Sequence, residues 1–412
     1  MRTILHCDMN NFYASVECLY RTELREKPVA VGGDVEQRHG IILAKNYPAK
    51  ALGVKTGEAI WQAKQKCPGL VVLPPNYKRY LRFARQARGI FADYTDQIES
   101  FGLDEAWLDV TASADLFGSG EAIADEIRKR IREELGITAS VGVSWNKIFA
   151  KLGSDLRKPD KTTAITRENY RKLVWPLPVG DLLYVGPATK KKLALKCIHT
   201  IGELAGTDRE ALRRWFGKWG DVLYVFANGL DASPVARMGA EAMIKSVGNS
   251  TTTPRDLENN EDVSIILYVL CESVAMRLRE LNLECRTVEI GVRDNTLYSF
   301  VRQKKQPRPT NLARDLHRAA MELFTENYEW QKPIRSIGVR GCELCPAGES
   351  VQLSLLDDET KRDKVIRMEA AMDDIRRRFG NLSICRAMLL GDRRLGSINP
   401  KDDHVIHPVG YF

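Results

Sequence analysis

Asp8-Met-Asn-Asn-Phe-Tyr-Ala-Ser-Val-Glu17 is the stretch of this sequence that decides the fold. It follows a short apolar run at residues 3–7 that is typical of a β-strand, and it continues into a pattern that can begin a helix. Backbone N–H groups at a helix start can hold phosphate, so these residues, with the adjacent aromatics Phe12 and Tyr13, indicate a site for a nucleoside triphosphate. The segment also fits a strand carboxylate that caps a helix, with both aromatic rings in the core.

A second acidic motif, Asp104-Glu105, lies beside another strand-like apolar run at residues 106–110. This layout can bring the carboxylates of Asp8, Asp104 and Glu105 together. Carboxylates at strand ends are hard ligands for Mg²⁺, and two such ions about 3.5–4 Å apart are a common arrangement for phosphoryl transfer. The sequence therefore predicts two-metal chemistry, although Asp104-Glu105 taken alone also fits a polar turn between strands.

Length and composition favour more than one domain. The chain has 412 residues, 44% of them hydrophobic, and a formal net charge of +8. A positive excess favours a nucleic-acid partner only if the charge is clustered. Scattered cysteines, with no signal peptide or long apolar span, predict a cytoplasmic protein without a membrane anchor.

Four side chains offer zinc ligands: Cys342, Cys345, His404 and His407. The spacing between the two pairs is long and matches no compact zinc ribbon or finger. Reduced, unligated thiols are therefore the prediction.

Residues 120–144 carry two hydrophobic periods in succession. Ile123, Ile127, Ile131 and Leu135 recur at i,i+4 spacing, which predicts an amphipathic helix. The alternating run at 137–144 predicts a strand, and together these patterns indicate an α+β domain.

The motifs taken in order resemble those of Y-family translesion DNA polymerases, and in particular the bacterial polymerase IV and polymerase V catalytic-subunit group. The quoted motifs are Asp8-Met-Asn-Asn-Phe-Tyr-Ala-Ser-Val-Glu17, Ala44-Lys-Asn-Tyr-Pro-Ala-Lys50 with Gly53-Val54, Leu103-Asp-Glu-Ala-Trp-Leu-Asp-Val-Thr111, and Val141-Gly-Val-Ser-Trp-Asn-Lys-Ile-Phe-Ala-Lys151. Their order over one stretch of chain is far more specific than any one of them, and a weaker likeness continues to about residue 390.

The resemblance implies an α+β multidomain fold, a right-hand polymerase with a ferredoxin-like palm, small fingers, a helical thumb and an α/β little finger. The expected divisions are a palm at 1–18 and 79–166, fingers at 19–78, a thumb with a helix-hairpin-helix at 167–233, a linker at 234–245, a little finger at 246–345 and a C-terminal tail at 346–412. The tail would hold a clamp-binding peptide and a helix.

For catalysis, the resemblance implies two Mg²⁺ ions per site. Asp8 and Asp104 would bridge them, Glu105 would bind the ion near the primer 3′-OH, and the Met9 carbonyl would bind the nucleotide-bound ion. No protein nucleophile is required.

The same resemblance implies a set of nucleotide-binding residues: Asn11, Phe12, Tyr13, Tyr47, Lys50 and Lys158. Tyr13 matches the steric gate, whose ring under the sugar excludes a 2′-OH, and Phe12 would brace that ring from the core. Without the family, Tyr47 and the two lysines would be ordinary surface residues.

Four positions depart from the family pattern. Asn10 stands where the family often has aspartate, and Lys50 stands where it often has arginine. At position 50 a guanidinium, which can contact a phosphate through two N–H groups, is therefore replaced by the point charge of an ammonium. Gly102 stands where serine is common, which predicts a more flexible turn. Tyr184 stands where the helix-hairpin-helix commonly has its first glycine, which places the tight loop in question.

Two segments would contact primer-template DNA through its backbone. Leu183-Tyr-Val-Gly-Pro-Ala-Thr-Lys-Lys-Lys-Leu193 resembles a helix-hairpin-helix turn, with a solvated basic helix-loop-helix as the alternative. The second segment is the basic run at 302–308, which on charge alone also fits a solvated loop. The proposed DNA-binding residues are Gly186, Lys190, Lys191, Arg302, Lys304 and Lys305.

Near the end, residues 352–356 resemble the short peptide that bacterial polymerases insert into the sliding clamp. A glutamine amide with spaced leucines suits a small apolar groove, and the residues are Gln352, Leu353, Leu355 and Leu356. The alternative is a linker whose leucines pack onto residues 361–379.

The segment that follows, residues 361–379, has Val365, Met368, Met372 and Ile375 at helical spacing and predicts an amphipathic helix. Residues 392–412 carry no functional signal, and their polarity predicts a mobile tail.

Together these observations predict a low-fidelity, template-directed, Mg²⁺-dependent DNA polymerase that acts in translesion synthesis and DNA repair and is monomeric when free. Low fidelity follows from the resemblance, because the fingers segment is too short for a large closing helix. The alternatives are a nucleotidyl cyclase-like use of the same palm and a catalytically silent scaffold that binds DNA and the sliding clamp.

Overall fold

The computed structural model describes residues 2–33, 40–240, 243–348 and 359–400. The chain folds into two compact units, one with the described residues 2–33 and 41–240 and the other with the described residues 40, 243–348 and 359–400. The division falls within the range predicted for the linker. The proposed clamp peptide at 352–356 and His404 and His407 lie outside the described residues. None of the described helices is both long and apolar enough to cross a membrane.

The first unit contains two sheets and most of the helices. Its strands are β1 (Ile4–Met9), β2 (Val29–Gly32), β3 (Ile42–Lys45), β4 (Val71–Leu73), β5 (Ile98–Ser100), β6 (Glu105–Asp109), β7 (Ala139–Ser144) and β8 (Thr162–Ala164). Its helices are α1 (Phe12–Tyr20), α2 (Tyr47–Ala51), α3 (Ile60–Lys66), α4 (Tyr77–Ala92), α5 (Ala114–Phe117), α6 (Gly120–Leu135), α7 (Lys147–Leu156), α8 (Tyr170–Leu173), α9 (Pro187–Ala194), α10 (Ile201–Gly206), α11 (Arg209–Phe216) and α12 (Lys218–Ala227).

The larger sheet has the order β5-β6-β1-β7-β8. The strand β1 lies at its centre, antiparallel to both β6 and β7, and all six of its residues are buried. This confirms the strand predicted from the apolar run at residues 3–7. The predicted strand at 137–144 is also present as β7, but every residue of it is buried rather than every second one, since α7 packs on one of its faces and α6 contributes to the same core.

The contact between β7 and α7 depends on a glycine. A Cβ added to Gly142 would lie 1.8 Å from the Ala150 carbonyl oxygen and 2.5 Å from the Ser154 backbone nitrogen. The helix therefore approaches the strand at backbone distance, which only glycine allows. This close approach carries α7, and with it Lys151 and Ser154, against the middle of the sheet.

The remaining parts of the first unit are a small sheet and a helical segment. The small sheet has the order β3-β2-β4. Helices α8 to α12 follow, and their buried apolar side chains form a core with Phe149 and Leu152 of α7. The chain before α9 contains Tyr184 at φ 67°, so the tight turn forms with a tyrosine in the left-handed region.

The second unit is a four-stranded antiparallel sheet with helices packed on it. Its strands are β9 (Ser246–Leu257), β10 (Leu283–Asp294), β11 (Ser299–Thr310) and β12 (Ile334–Pro346), in the order β11-β10-β12-β9, and its helices are α13 (Asn260–Glu280), α14 (Ala313–Asn327), α15 (Glu359–Phe379) and α16 (Arg393–Gly396). Apolar side chains of α13, α14, β10 and β12 form its core. The sheet and helices confirm the α/β architecture expected here.

The helix predicted at 361–379 is present as α15, but the predicted apolar face is wrong. Met368 and Ile375 are exposed by 42% and 36%, and of the four predicted positions Met372 alone is buried. Ion pairs hold the helix instead, because Arg279 on α13 contacts Glu369 at 2.8 Å and Asp373 at 2.7 Å.

The prediction of a mobile tail from residue 392 is wrong for residues 392–400. The Asp392 side chain caps α16 and accepts a hydrogen bond from Arg255 at 2.8 Å. Leu395 is completely buried in the core of the second unit. The buried side chain of Leu395 and the helix cap of Asp392 therefore hold this mostly polar segment against the second unit.

Candidate active site

The carboxylates of the two acidic motifs meet on neighbouring strands. Asp8 near the end of β1 lies directly opposite Glu105 at the start of β6. The Met9 N–H donates to the Asp104 carbonyl oxygen at 3.0 Å, which ties the residue before β6 to β1 as well. The antiparallel register thus places all three acidic residues at one end of the central strand pair.

Burial and mutual repulsion raise the pKa values of two of these carboxyls above their usual range. Asp8 is 5% exposed, and burial, with the charges of Glu105 and Asp104, raises its pKa to about 7 although Lys158 opposes the shift. Burial and the charge of Glu105 raise the pKa of Asp104 to about 6. Both aspartates therefore lie where removal from water and nearby carboxylates disfavour the charged form.

Two lysines contact the acidic residues directly. Lys158 Nζ lies 2.7 Å from Asp8 Oδ2 and 2.8 Å from Asp155 Oδ1, so it bridges β1 and the end of α7. Lys151 donates a hydrogen bond to Glu105 Oε2. Lys158 was expected near the triphosphate, whereas the sequence motif that ends at Lys151 predicted no role for this residue.

His6 is a further residue that the sequence did not single out. It is completely buried, with Nε2 3.3 Å from Glu105 Oε2 and Nδ1 2.9 Å from Ser154 Oγ. Burial lowers the pKa of His6. Burial alone would raise the pKa of Glu105, but His6 and Lys151 lower it to about 2. A lone histidine in an apolar strand gives no signal of this contact, because its partners are far along the chain.

The oxygen donors of the acidic site have the chemistry that a divalent cation requires. Asp8, Asp104 and Glu105 supply hard oxygen ligands, and the burial that raises the pKa values of the two aspartates would be offset by a bound cation. Within residues 2–33, 40–240, 243–348 and 359–400, no group of three or more Asp, Glu, His or Cys side chains is arranged closely enough to hold a metal ion. In this structure Lys158 and Lys151 contact carboxylate oxygens that such an ion would use.

The aromatic residues beside the acidic site form one packed group. The ring of Tyr13 stacks on Tyr80 with centroids 4.2 Å apart and planes 10° apart. Phe12 is buried and tilted against Tyr13 at 5.7 Å. Tyr80 is completely buried, and its hydroxyl donates to Glu17 Oε1 at 3.0 Å. Tyr80, which no sequence motif singled out, therefore braces the Tyr13 ring more directly than Phe12 does.

The other proposed nucleotide contacts lie on three separate segments. Tyr47 begins α2 beneath the cap Asn46, and Lys50 Nζ lies 5.7 Å from the Tyr47 ring centroid. Burial raises the pKa of Tyr47, and charges of Lys158 and Asp8 also act on it, so Tyr47 belongs to the same electrostatic surroundings as the carboxylates. Asn11 is the N-cap of α1 in the left-handed conformation at φ 48°.

Asn10 has a structural reason to be an amide. Its Nδ2 donates to Ser140 Oγ at 2.9 Å, and its Oδ1 accepts from the Asp160 N–H at 2.9 Å and from Thr138 Oγ1 at 3.0 Å. A carboxylate would keep the acceptor but lose the donor. Both the amide nitrogen and the amide oxygen of Asn10, which departs from the family pattern, are therefore hydrogen-bonded.

The backbone conformation explains why position 102 is a glycine. It adopts φ 89° in the turn between β5 and β6, and an added Cβ would lie 3.7 Å from Asp104 Oδ1. A side chain at this φ is strained whatever the space around it. The turn before the acidic pair thus depends on glycine in this chain.

The proposed DNA contacts in the first unit surround the start of α9. Gly186 is its N-cap, and Lys190 and Lys191 are on the helix, with Lys191 exposed. Tyr184 is 53% exposed and contacts Trp219 at 5.8 Å between ring centroids. Tyr184 thus takes the left-handed conformation that glycine usually supplies in such a turn, and the helix-hairpin-helix stays a prediction.

The proposed contacts in the second unit lie on an edge strand. The basic run lies on β11, so the alternative of a loop is wrong. Among the described strands, β11 pairs with β10 alone, and it carries Arg302, Lys304 and Lys305. Lys304 Nζ lies 2.9 Å from Glu322 Oε2, and Lys305 is exposed. Cys342 and Cys345 on β12 are in no disulfide, and Cys345 Sγ donates to the Glu284 carbonyl oxygen at 3.7 Å.

Comparisons with known proteins extend over nearly the whole chain. Residues 7–155 match the impB/mucB/samB family, and residues 244–355 match the impB/mucB/samB family C-terminal domain. DNA polymerase IV of Acetivibrio thermocellus is 54% identical over 397 residues, which cover 96% of this chain and 100% of that protein. DNA polymerase IV 2 of Bacillus subtilis is 37% identical, with 94% of this chain and 95% of that protein covered.

A solved structure of a Y-family DNA polymerase chimera superimposes with a TM-score of 0.74. The alignment covers 84% of this chain and 99% of that chain at 23% sequence identity. At this identity the likeness concerns the fold.

Proposed function

The chain belongs to the impB/mucB/samB family of Y-family DNA polymerases, and from this premise we propose that it copies damaged templates by two-metal catalysis. As a member closely similar to DNA polymerase IV, it is a DNA-directed DNA polymerase. The observation that carries the mechanism is the register that sets Asp8 opposite Glu105 and beside Asp104. Translesion synthesis and DNA repair are its proposed biological roles.

In this proposal Asp8, Asp104, Glu105 and the Met9 carbonyl would hold two Mg²⁺ ions. When bound, these ions would make the primer 3′-OH easier to deprotonate and would neutralise the triphosphate and leaving pyrophosphate. Low exposure of Asp8 supports the assignment, because carboxylates shielded from water interact strongly with a cation.

The lysines would serve the phosphates. Lys158 already lies in the site, 2.7 Å from Asp8, and a shift of its flexible side chain would bring its charge to an incoming triphosphate. Tyr47 and Lys50 would contact the same phosphates from α2. Asn11 at the start of α1 would place its backbone near them.

Tyr13 would select deoxyribonucleotides. Its ring is held from behind by Tyr80, so it cannot retreat when a 2′-OH approaches. The stack on a completely buried neighbour supports the steric-gate assignment better than the sequence motif alone does.

The remaining proposals concern DNA and partner binding. The first unit would supply the palm, fingers and thumb, with Gly186, Lys190 and Lys191 on the backbone of the primer-template. The second unit would supply the little finger, with Arg302, Lys304 and Lys305. Gln352, Leu353, Leu355 and Leu356 would bind the sliding clamp, and the free protein would be a monomer.

Primer extension tests the proposal. Purified protein, Mg²⁺ and dNTPs are incubated with undamaged and abasic templates, beside Asp104→Ala and the surface control Asp115→Ala. We expect extension past the abasic site by the wild type and the control, and none by Asp104→Ala. Substantial synthesis by Asp104→Ala would contradict the metal assignment, and DNA binding without extension by the wild type would favour a silent scaffold. Consumption of dNTP without a primer-template would favour cyclase-like chemistry.

A further inference from the structure

Arg88 is a buried cation directly behind the acidic turn. It lies on α4 among the buried residues Ala84, Ala87 and Phe91, and it is 4% exposed. Removing a guanidinium from water is costly unless its donors are used. Its location next to the segment that carries Asp104 therefore requires an explanation.

The guanidinium is surrounded by the backbone of that segment. Nη2 donates to the Glu105 carbonyl oxygen at 2.7 Å and to the Gly102 carbonyl oxygen at 3.2 Å, with the Leu103 carbonyl oxygen at 3.5 Å. Nε donates to Ser100 Oγ at 3.1 Å. The Arg88 side chain thus forms hydrogen bonds with the end of β5, the turn and the start of β6.

The turn is shaped to make these contacts. Gly102 at φ 89° is part of a reversal in which carbonyl groups before and after Asp104 face the same cation. The Phe101 N–H donates to the Glu105 carbonyl at 2.9 Å and closes the turn from the other side. The carboxylates of Asp104 and Glu105 are consequently attached to a backbone that is fixed on both flanks.

We propose that Arg88 is a positioning residue that holds the Asp104-Glu105 turn in the geometry that binds the catalytic metal ions. This inference rests on the proposed function of the site. Arg88 acts through the backbone of the acidic pair, and its planar fork serves several acceptors at once. A purely structural side chain of similar length would fill the same space without fixing the carbonyl groups.

The test measures metal binding separately from synthesis. The full chain is bound to a dideoxy-terminated primer-template with dNTP, and free Mn²⁺ is followed by electron paramagnetic resonance. Because a misplacement of about 1 Å can cost about a hundredfold in rate, we expect Arg88→Met to lower kcat of single-nucleotide insertion about tenfold or more, and to weaken Mn²⁺ binding by about as much. The Kd for primer-template should change less than about twofold, since Arg88 is buried and is not one of the proposed DNA contacts.

Two further variants keep the proposal falsifiable. Arg88→Lys retains the charge without the fork and should recover part of the Mn²⁺ affinity. Ile90→Ala, on the same helix and 3% exposed, controls for loss of stability and should bind Mn²⁺ as the wild type does.

Wild-type Mn²⁺ affinity and kcat in folded Arg88→Met would overturn the proposal. If that variant does not fold, unchanged Mn²⁺ affinity and kcat in Arg88→Lys would overturn it equally. Failure of the wild type to bind Mn²⁺ more tightly than Asp104→Ala would instead contradict the proposed function of the site.

Discussion

At the residue scale, Tyr80 shows how Tyr13, the proposed steric gate, is held. The Tyr13 and Tyr80 ring centroids are 4.2 Å apart, and Glu17 Oε1 accepts a hydrogen bond from the Tyr80 hydroxyl at 3.0 Å. We expect Tyr13→Ala to raise ribonucleotide insertion by orders of magnitude, because this variant lacks the ring that we propose excludes the 2′-OH. Tyr80→Leu should raise it by a smaller factor of about ten, since the Tyr13 ring remains but can tilt.

Single-nucleotide kcat/KM ratios for dNTP against rNTP measure both effects. Tyr80→Phe is the matched control, because it keeps the stacked ring and loses only the hydroxyl. Sugar discrimination that is unchanged in Tyr80→Leu would show that Tyr13 is rigid without its neighbour.

Asp8 illustrates a conflict between function and stability. Its pKa is raised to about 7, so the folded protein binds a proton more tightly than the unfolded chain does between about pH 4 and pH 7. The contribution of this group to stability is therefore lost as the pH rises through that window. In EDTA at pH 8 we expect Asp8→Asn to raise the free energy of unfolding by about 1–3 kcal/mol, given about 1.4 kcal/mol per pKa unit.

Urea unfolding of both proteins in EDTA at pH 5 and pH 8 measures this difference. The advantage of Asp8→Asn should shrink at pH 5, where the wild-type carboxyl is protonated. An advantage of equal size at both pH values would contradict ionisation as the cause. Excess Mg²⁺ should stabilise the wild type more than the variant.

At the scale of elements, the contact between β7 and α7 positions the site. Gly142→Ala would place a Cβ 1.8 Å from the Ala150 carbonyl oxygen, so helix and strand must separate. We expect a loss of about 3 kcal/mol or more in the free energy of unfolding and weaker activity, because Lys151 and Ser154 move with α7. Gly89→Ala in α4 meets nothing within 4 Å and should raise stability by up to about 1 kcal/mol.

Denaturant unfolding of the two variants gives the comparison. Similar stability of Gly142→Ala and the wild type would show that α7 can shift without cost. In that case the close approach would not be what fixes Lys151.

The sequence was sufficient for elements that repeat locally. The isoleucines of α6, Ile123, Ile127 and Ile131, are all buried as their spacing predicts, because a helix face is specified within a few residues. The partners of His6 were not predictable in this way, since Ser154 is 148 positions away and only the folded sheet joins them. The face of α15 was mispredicted for a related reason: Arg279, which binds Glu369 and Asp373, belongs to another helix.

At the scale of the whole molecule, DNA affinity and clamp affinity should be separable. Replacing Gln352, Leu355 and Leu356 together with alanine should remove clamp stimulation and leave synthesis without clamp unchanged, because the proposed peptide contacts neither DNA nor dNTP. Processivity assays with and without the loaded clamp measure this. Equal loss in both assays would show that these residues serve folding.

The DNA contacts proposed in each unit should respond to salt. Lys191→Ala and Lys305→Ala should each weaken primer-template binding and lower the slope of log K against log salt by about one. Fluorescence anisotropy at several salt concentrations measures the slopes. An unchanged slope for either variant would remove that lysine from the proposed interface.

The register of β1 also limits how this protein can evolve. Asp8 meets Glu105 only while the strand keeps its pairing with both neighbours, and a shift by one residue would turn every side chain of the strand to the opposite face. Insertion or deletion of a single codon between Ile4 and Asp8 would therefore destroy the acidic site in one step. Lineages of this enzyme can change their active site by substitution along this strand, whereas changes in length must accumulate in the loops.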